Sequence, residues 1–426
     1  MPLKKKIFLI VSLLYILYTL VPIVPNLTGL PVWLANLATF IILFTIYPRA
    51  FHNRVTYWFL AYASILAVYV LAGKPLTIGI GTVLDSRKIL IEFAFILPSL
   101  SILSILFFLK DYRLYKFTSY AGLLFIVFSF LYLIPMIISD NVILRVAHEL
   151  KSTENYDMPG VPNYTLMHAY IIAVPALLYG IKTLNAKKKW VMLAVLTLFV
   201  FIILHTYVTT SLIVTFAVIV FALLYNTKNK ARSYFLMILA SSLIYVLHLA
   251  GVYVLLFDFL IDFFVGTAVE PKIEGFKYIY LFGDIKNSGG HITGRMYLHN
   301  MSWKAFIENP LMGASSPVGG HSNILDRLGG MGLLPFIPFA MIILSQVKMT
   351  LRIINQTEQR MYFYLGFGSA LSLLFLKGLF GQEGWLFLMV LMPGLIITFR
   401  NSQKNQKEVK LIVNPNDNSV QKKAKF

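Results

Sequence analysis

Residues 4–24 read KKKIFLIVSLLYILYTLVPIV, and this stretch decides the fold class. Three lysines lead into an apolar run that, at 1.5 Å per helical residue, nearly spans the roughly 30 Å hydrocarbon core of a bilayer. The run is too long for the core of a signal peptide and is followed by no small-x-small cleavage site, so it reads as a first spanning helix. Runs of the same kind recur at 30–48, 55–72, 89–109, 117–138, 165–184, 190–208, 210–225, 233–256, 324–345, 361–380 and 384–399. The expected fold is an all-α polytopic integral membrane protein with about 12 transmembrane helices.

Composition excludes a soluble protein, because 58% of the 426 residues are hydrophobic and only 13% are charged. No cysteine is present, which removes disulfides and thiol chemistry. The net charge of +19 would suggest nucleic acid in a soluble chain, but here the basic residues sort by loop. With the N-terminus inside, 25 of the 37 Lys and Arg residues fall on the inner side and every inner break is basic. The positive-inside rule therefore predicts a multi-pass protein of the cell membrane with both termini cytoplasmic and no nucleic-acid partner. Four regions follow: nine spans over 1–256, a large extracellular loop at 257–323 between the ninth and tenth, three spans over 324–400, and a basic, disordered tail at 401–426 suited to anionic lipid. The two halves show no sequence repeat, which weighs against many transporter architectures.

The long loop concentrates the polar chemistry. Thr293 reads as the N-cap of a short helix ending at Asn309-Pro310, with Arg295 and His299 one turn apart on one face. Trp303 and Tyr297 on this helix suit the headgroup boundary, and an interfacial helix whose Arg295 meets lipid phosphate is the plain alternative. Residues 313–320 form a glycine-rich run that ends at His321. Asn323 then reads as an N-cap with Asp326 at the third helical position, opening the tenth span with a helix N-terminus that favours phosphate. Asp326 reads equally as a cap or as a functional carboxylate. His291, His299 and His321 lack the spacing of a zinc protease, so neither metal nor cofactor is expected. Lys377 and Glu383 read most simply as an ion pair across the last hairpin.

Gly294-Arg295, Trp303, Pro310, Gly313, the run His321-Ser322-Asn323-Ile324-Leu325-Asp326 and Gly329-Gly330-Met331-Gly332 resemble the signature of the O-antigen ligase and Wzy-type polysaccharide polymerase superfamily. The resemblance implies a GT-C-like membrane glycosyltransferase that works outside the membrane. Its donor would be an undecaprenyl-diphosphate-linked oligosaccharide and its acceptor a sugar hydroxyl, with other polysaccharide-biosynthesis membrane proteins as partners. Where many members carry a small-residue and arginine motif after a middle span, this chain has only Thr209-Thr210-Ser211-Leu212; Arg145, in the other long outer segment, is the substitute candidate.

The chemistry of that class assigns roles. A leaving diphosphate calls for a forked guanidinium, for which Arg295, helped by Arg145 and Asn323, is the candidate. The attacking hydroxyl calls for a base, for which His321 is the candidate, with Asp326 orienting it or acting in its place. His299, Trp303 and Ser322 would position acceptor and loop, and Gly329, Gly330 and Gly332 would let the lipid approach closely. Polymerisation of capsular, exopolysaccharide or O-antigen repeats is the leading expectation. A ligase is the close alternative, and a flippase, whose polar residues should line a central cavity, is the alternative from another class.

Overall fold

The computed structural model describes residues 2–73, 76–77, 83–84, 86–139, 164–205, 208–225, 230–267, 269–283, 290–314, 318–354, 356–377 and 380–399. Arg145 and the tail at 401–426 lie outside them. The chain is built of helices: α1 (Leu3–Leu20), α2 (Ile23–Thr28), α3 (Val32–Ile46), α4 (Arg54–Leu71), α5 (Ser86–Leu109), α6 (Tyr112–Ser139), α7 (Tyr164–Thr183), α8 (Ala186–His205) and α9 (Thr209–Leu224). These continue into α10 (Lys230–Leu249), α11 (Val252–Phe263), α12 (Glu270–Phe282), α13 (Gly290–Glu308), α14 (Asn323–Met331), α15 (Leu333–Ile353), α16 (Thr357–Leu376) and α17 (Gln382–Phe399). The only strand pairing among the described residues joins Leu76–Thr77 to Val83–Leu84.

Six of the described segments are long and apolar enough to cross a membrane, in α4, α6, α7, α8, α15 and α17, and three shorter apolar helices accompany them. The architecture is that of a helical membrane protein. α17 is wholly buried and α7 nearly so, which makes them the centre of the bundle. α15 packs on α4, α16 on α7, and α1 on α6 around them. Large apolar side chains such as Leu60, Val68, Leu124, Phe128, Phe216 and Leu223 face outward instead, as lipid contact requires. Buried polar groups pair across helices: Asn36 donates to Gln382 Oε1 at 2.8 Å, and Gln346 Nε2 donates to the Leu388 carbonyl inside a π turn of α17 at 3.1 Å.

Two expected spans are broken. The run 233–256 divides into α10 and α11 at Gly251, whose φ is +69°. The run 324–345 divides into α14 and α15 at Gly332, with φ +77°. Window hydropathy is blind to one left-handed residue. The segment 257–323, expected as a loop with one short helix, holds the end of α11 and all of α12 and α13; Lys277 on α12 pairs with Asp258 on α11. At the far end of the bundle, Lys5 pairs with Asp111 and Lys182 with Glu358, both at 2.6 Å.

Candidate functional site

The candidate site forms where α13 lies against α14. Its helix begins at Gly290, three residues before the expected cap at Thr293. The two helices approach backbone to backbone. A Cβ on Gly319 would come within 2.0 Å of the Leu298 carbonyl oxygen, and one on Gly329 within 2.5 Å of the Ser302 carbonyl oxygen. Gly332 combines its left-handed turn with a Cβ position 2.3 Å from Gly313 N. Gly329 and Gly332 therefore dock protein on protein, which corrects their reading as room for a lipid chain.

At the centre of this contact sits Ser302, fully buried. Its Oγ donates to Asp326 Oδ1 at 2.6 Å and accepts from the Gly319 N–H at 2.9 Å. Asp326 Oδ2 accepts from the Ser322 N–H at 3.0 Å, while Ser322 Oγ accepts from the Leu325 N–H at 3.1 Å. This reciprocal pair works like a capping box with its acid one position later, at the fourth helical residue, and its cap is Ser322, one residue before the expected Asn323. Burial pushes the Asp326 carboxyl up, and the bonds from Ser302, Ser322 and Gly320 oppose the rise.

The mouth of α14 differs from the expected phosphate cradle. The Asn323 N–H donates to the Lys377 carbonyl at 2.9 Å, and the N–H groups of Leu325 and Asp326 bond to Ser322. These amides are committed within the protein, so anion binding here falls to side chains. Asn323 Oδ1 likewise accepts from Arg327 Nε at 2.9 Å. Arg327 is buried, bonds Tyr62 Oη and stacks over the Phe339 ring at 4.3 Å. Nothing in its sequence neighbourhood separates it from an ordinary basic residue at a helix mouth, and its aromatic partners lie far away in sequence.

Arg295, His299 and His321 come together above this clamp. His321 is exposed, and its pKa is lowered by partial desolvation, then by Arg295 and Lys377, against the opposing pull of Asp326. His299 lies 6.3 Å from the Phe375 ring, and its Nε2 is buried with no hydrogen-bond partner among the described residues. Lys377, the residue that ends α16, is pushed down to about 7 by burial and by the positive charges of Arg295 and Lys272. The positive charges of Arg295 and Lys272 thus act on Lys377. Trp303 sits on the outward side of α13, half exposed and 5.4 Å from Phe306. The side chain of His291 is not among those described.

Six of the residues singled out in the sequence, Arg295, His299, His321, Ser322, Asn323 and Asp326, therefore share one neighbourhood, with Ser302 and Lys377 added to it. A group of half-buried cations beside an imidazole can hold an anion of two or more charges and take up a proton next to it. No protein-family model matches the chain, and no curated protein matches it in sequence.

Proposed function

We propose that the chain is a polytopic membrane glycosyltransferase of about 12 spans. It extends a capsular, extracellular or O-antigen polysaccharide from undecaprenyl-diphosphate-linked repeats on the outer face of the cell membrane. The observation that carries this reading is the placing of Arg295 and Lys377 beside His321 at one end of the bundle, with Lys272 near Lys377. The distribution of basic residues favours an outward-facing site with cytoplasmic termini.

In this mechanism the cations hold the diphosphate oxygens as charge builds on the departing group. The bond between the anomeric carbon and the diphosphate oxygen breaks, and a bond to the acceptor oxygen forms. His321, whose pKa is lowered by partial desolvation and by Arg295 and Lys377, takes the acceptor proton. Asp326 acts one layer below: by holding Ser302 and Ser322 it fixes the loop that presents His321.

The test is deletion of the gene followed by gel analysis of surface-polysaccharide chain length. Single repeats are expected. Long chains left unattached would reassign the protein as a ligase, and loss of all outer glycan would reassign it as a flippase.

A further inference from the structure

A cavity of about 570 Å³ lies at the opposite end of the bundle, between the turn joining α5 to α6, the last turn of α15, the first of α16 and the end of α17. The length of α16 separates it from the candidate site. Gln359 lines the cavity near the start of that helix and Lys377 follows its end, a rise of about 27 Å at 1.5 Å per residue. The cavity also stands outside the polymerase reading and does not depend on it.

Its lining is a built one. Lys110 and Arg352 contribute two cations, and the nearby Asp111 is held by Lys5 at 2.6 Å, so its charge is already matched. Gln359 is 1% exposed and Tyr115 5% exposed, yet Gln359 Oε1 and Tyr115 Oη have no hydrogen-bond partner among the described residues. Gln359 is held in place because its Nε2 donates to the Ile396 carbonyl at 3.1 Å. Unpartnered polar atoms on buried residues that line a cavity call for a ligand that satisfies them. Lys110 adds an independent sign: it is the one described non-glycine residue in the left-handed region, with φ +49°. Glycine or asparagine would occupy that turn with less strain, and the lysine instead brings a cation to the cavity lining. Phe107, Ile353 and Ile397 supply an apolar flank.

From these features we infer that the cavity binds a phosphorylated polyol headgroup, its phosphate between Lys110 and Arg352 and a hydroxyl donating to Gln359 Oε1. A volume of about 570 Å³ falls within the ordinary range for small-ligand sites and has room for such a headgroup with its first methylenes. The same chemistry is offered by an anionic glycerophospholipid and by a soluble glycerol phosphate.

The experiment uses the full chain purified in detergent. Thermal unfolding and native mass spectrometry are followed on addition of phosphatidylglycerol, phosphatidylcholine or sn-glycerol 3-phosphate. Phosphatidylglycerol should stabilise the protein and stay bound, phosphatidylcholine should not, and both Arg352→Ala and Gln359→Leu should weaken retention at least 10-fold. Lys116→Ala, an exposed cation that does not line the cavity, should leave retention unchanged. Equal binding of glycerol phosphate keeps the site and assigns a soluble ligand to it. Absence of both ligands, or retention equally reduced by Lys116→Ala, overturns the inference in favour of unspecific surface charge. Should Arg352→Ala fail to fold, Gln359→Leu, which removes no charge, decides alone.

Discussion

Replacing Ser302 with alanine isolates the clamp beneath the candidate site, because one hydroxyl serves two partners there. The variant withdraws a donor at 2.6 Å from the buried Asp326 carboxylate and an acceptor at 2.9 Å from the Gly319 N–H. A hydrogen bond to a charged group contributes about 1.5–3 kcal/mol, and an orphaned buried N–H costs about 1–3 kcal/mol. The two losses share one site and are not additive, so we take about 3 kcal/mol for local opening. At about 1.4 kcal/mol per factor of ten, amide exchange across 318–326 should accelerate roughly 10²-fold. Hydrogen-exchange mass spectrometry in detergent measures this, with a peptide from α7 as internal reference. The pH dependence has a sign. Burial already raises the Asp326 pKa and the Ser302 bond restrains that rise, so the variant raises it further. The carboxylate's share of the defect is therefore present above that pKa and fades as pH falls through it. Exchange within about threefold of the parent at neutral pH would refute the clamp.

Four further outcomes follow from the site and the topology. Arg295→Lys keeps the charge but loses the planar fork, and in vitro elongation of lipid-linked repeats should fall at least 10-fold; parental elongation would leave Arg295 a general electrostatic role. His321→Ala should reduce elongation roughly 10² to 10⁴-fold at unchanged protein abundance. The parental pH profile should stay flat below the usual histidine value near 6.5 before falling, because the His321 pKa is lowered, and it should decline again above about 7 as Lys377 loses its proton. Lys377→Arg should abolish that alkaline decline, and an unchanged alkaline limb would remove Lys377 from the anion site. With no native cysteine, Asn300→Cys should react with an impermeant thiol reagent in intact cells and Thr357→Cys should not; the reverse pattern would put the site in the cytoplasm.

Apolar runs such as 190–208 and 55–72 needed no tertiary information, because a length of uninterrupted hydrophobic sequence is a local property. The breaks at Gly251 and Gly332 were not legible, since each rests on one backbone angle inside an otherwise apolar window. Asp326 and His321 were found through their motif. The motif could not say that Asp326 would be enclosed by Ser302, which lies 24 residues away on another helix. Arg327 and Lys377 were obscured for the same reason. Their character comes from Tyr62, Phe339, Arg295 and Lys272, each brought in by packing of distant elements. Ser322 replaced Asn323 as cap because its hydroxyl, one position earlier, reaches the Leu325 N–H.

The glycines at 319, 329 and 332 carry a consequence for how this chain is compared with others. Each sits where neighbouring backbone lies closer than a methyl group allows: Gly319 seats the loop on α13, Gly329 seats α14 on α13, and Gly332 seats the end of α14 on the turn at Leu311 and Gly313, whatever reaction the protein runs. A chain that shares this spacing inherits a shape. Shared chemistry has to be sought in the side chains mounted on that shape, at positions 295, 321 and 377, and a sequence that kept the glycines while losing those three would be a structural cousin with a different occupation.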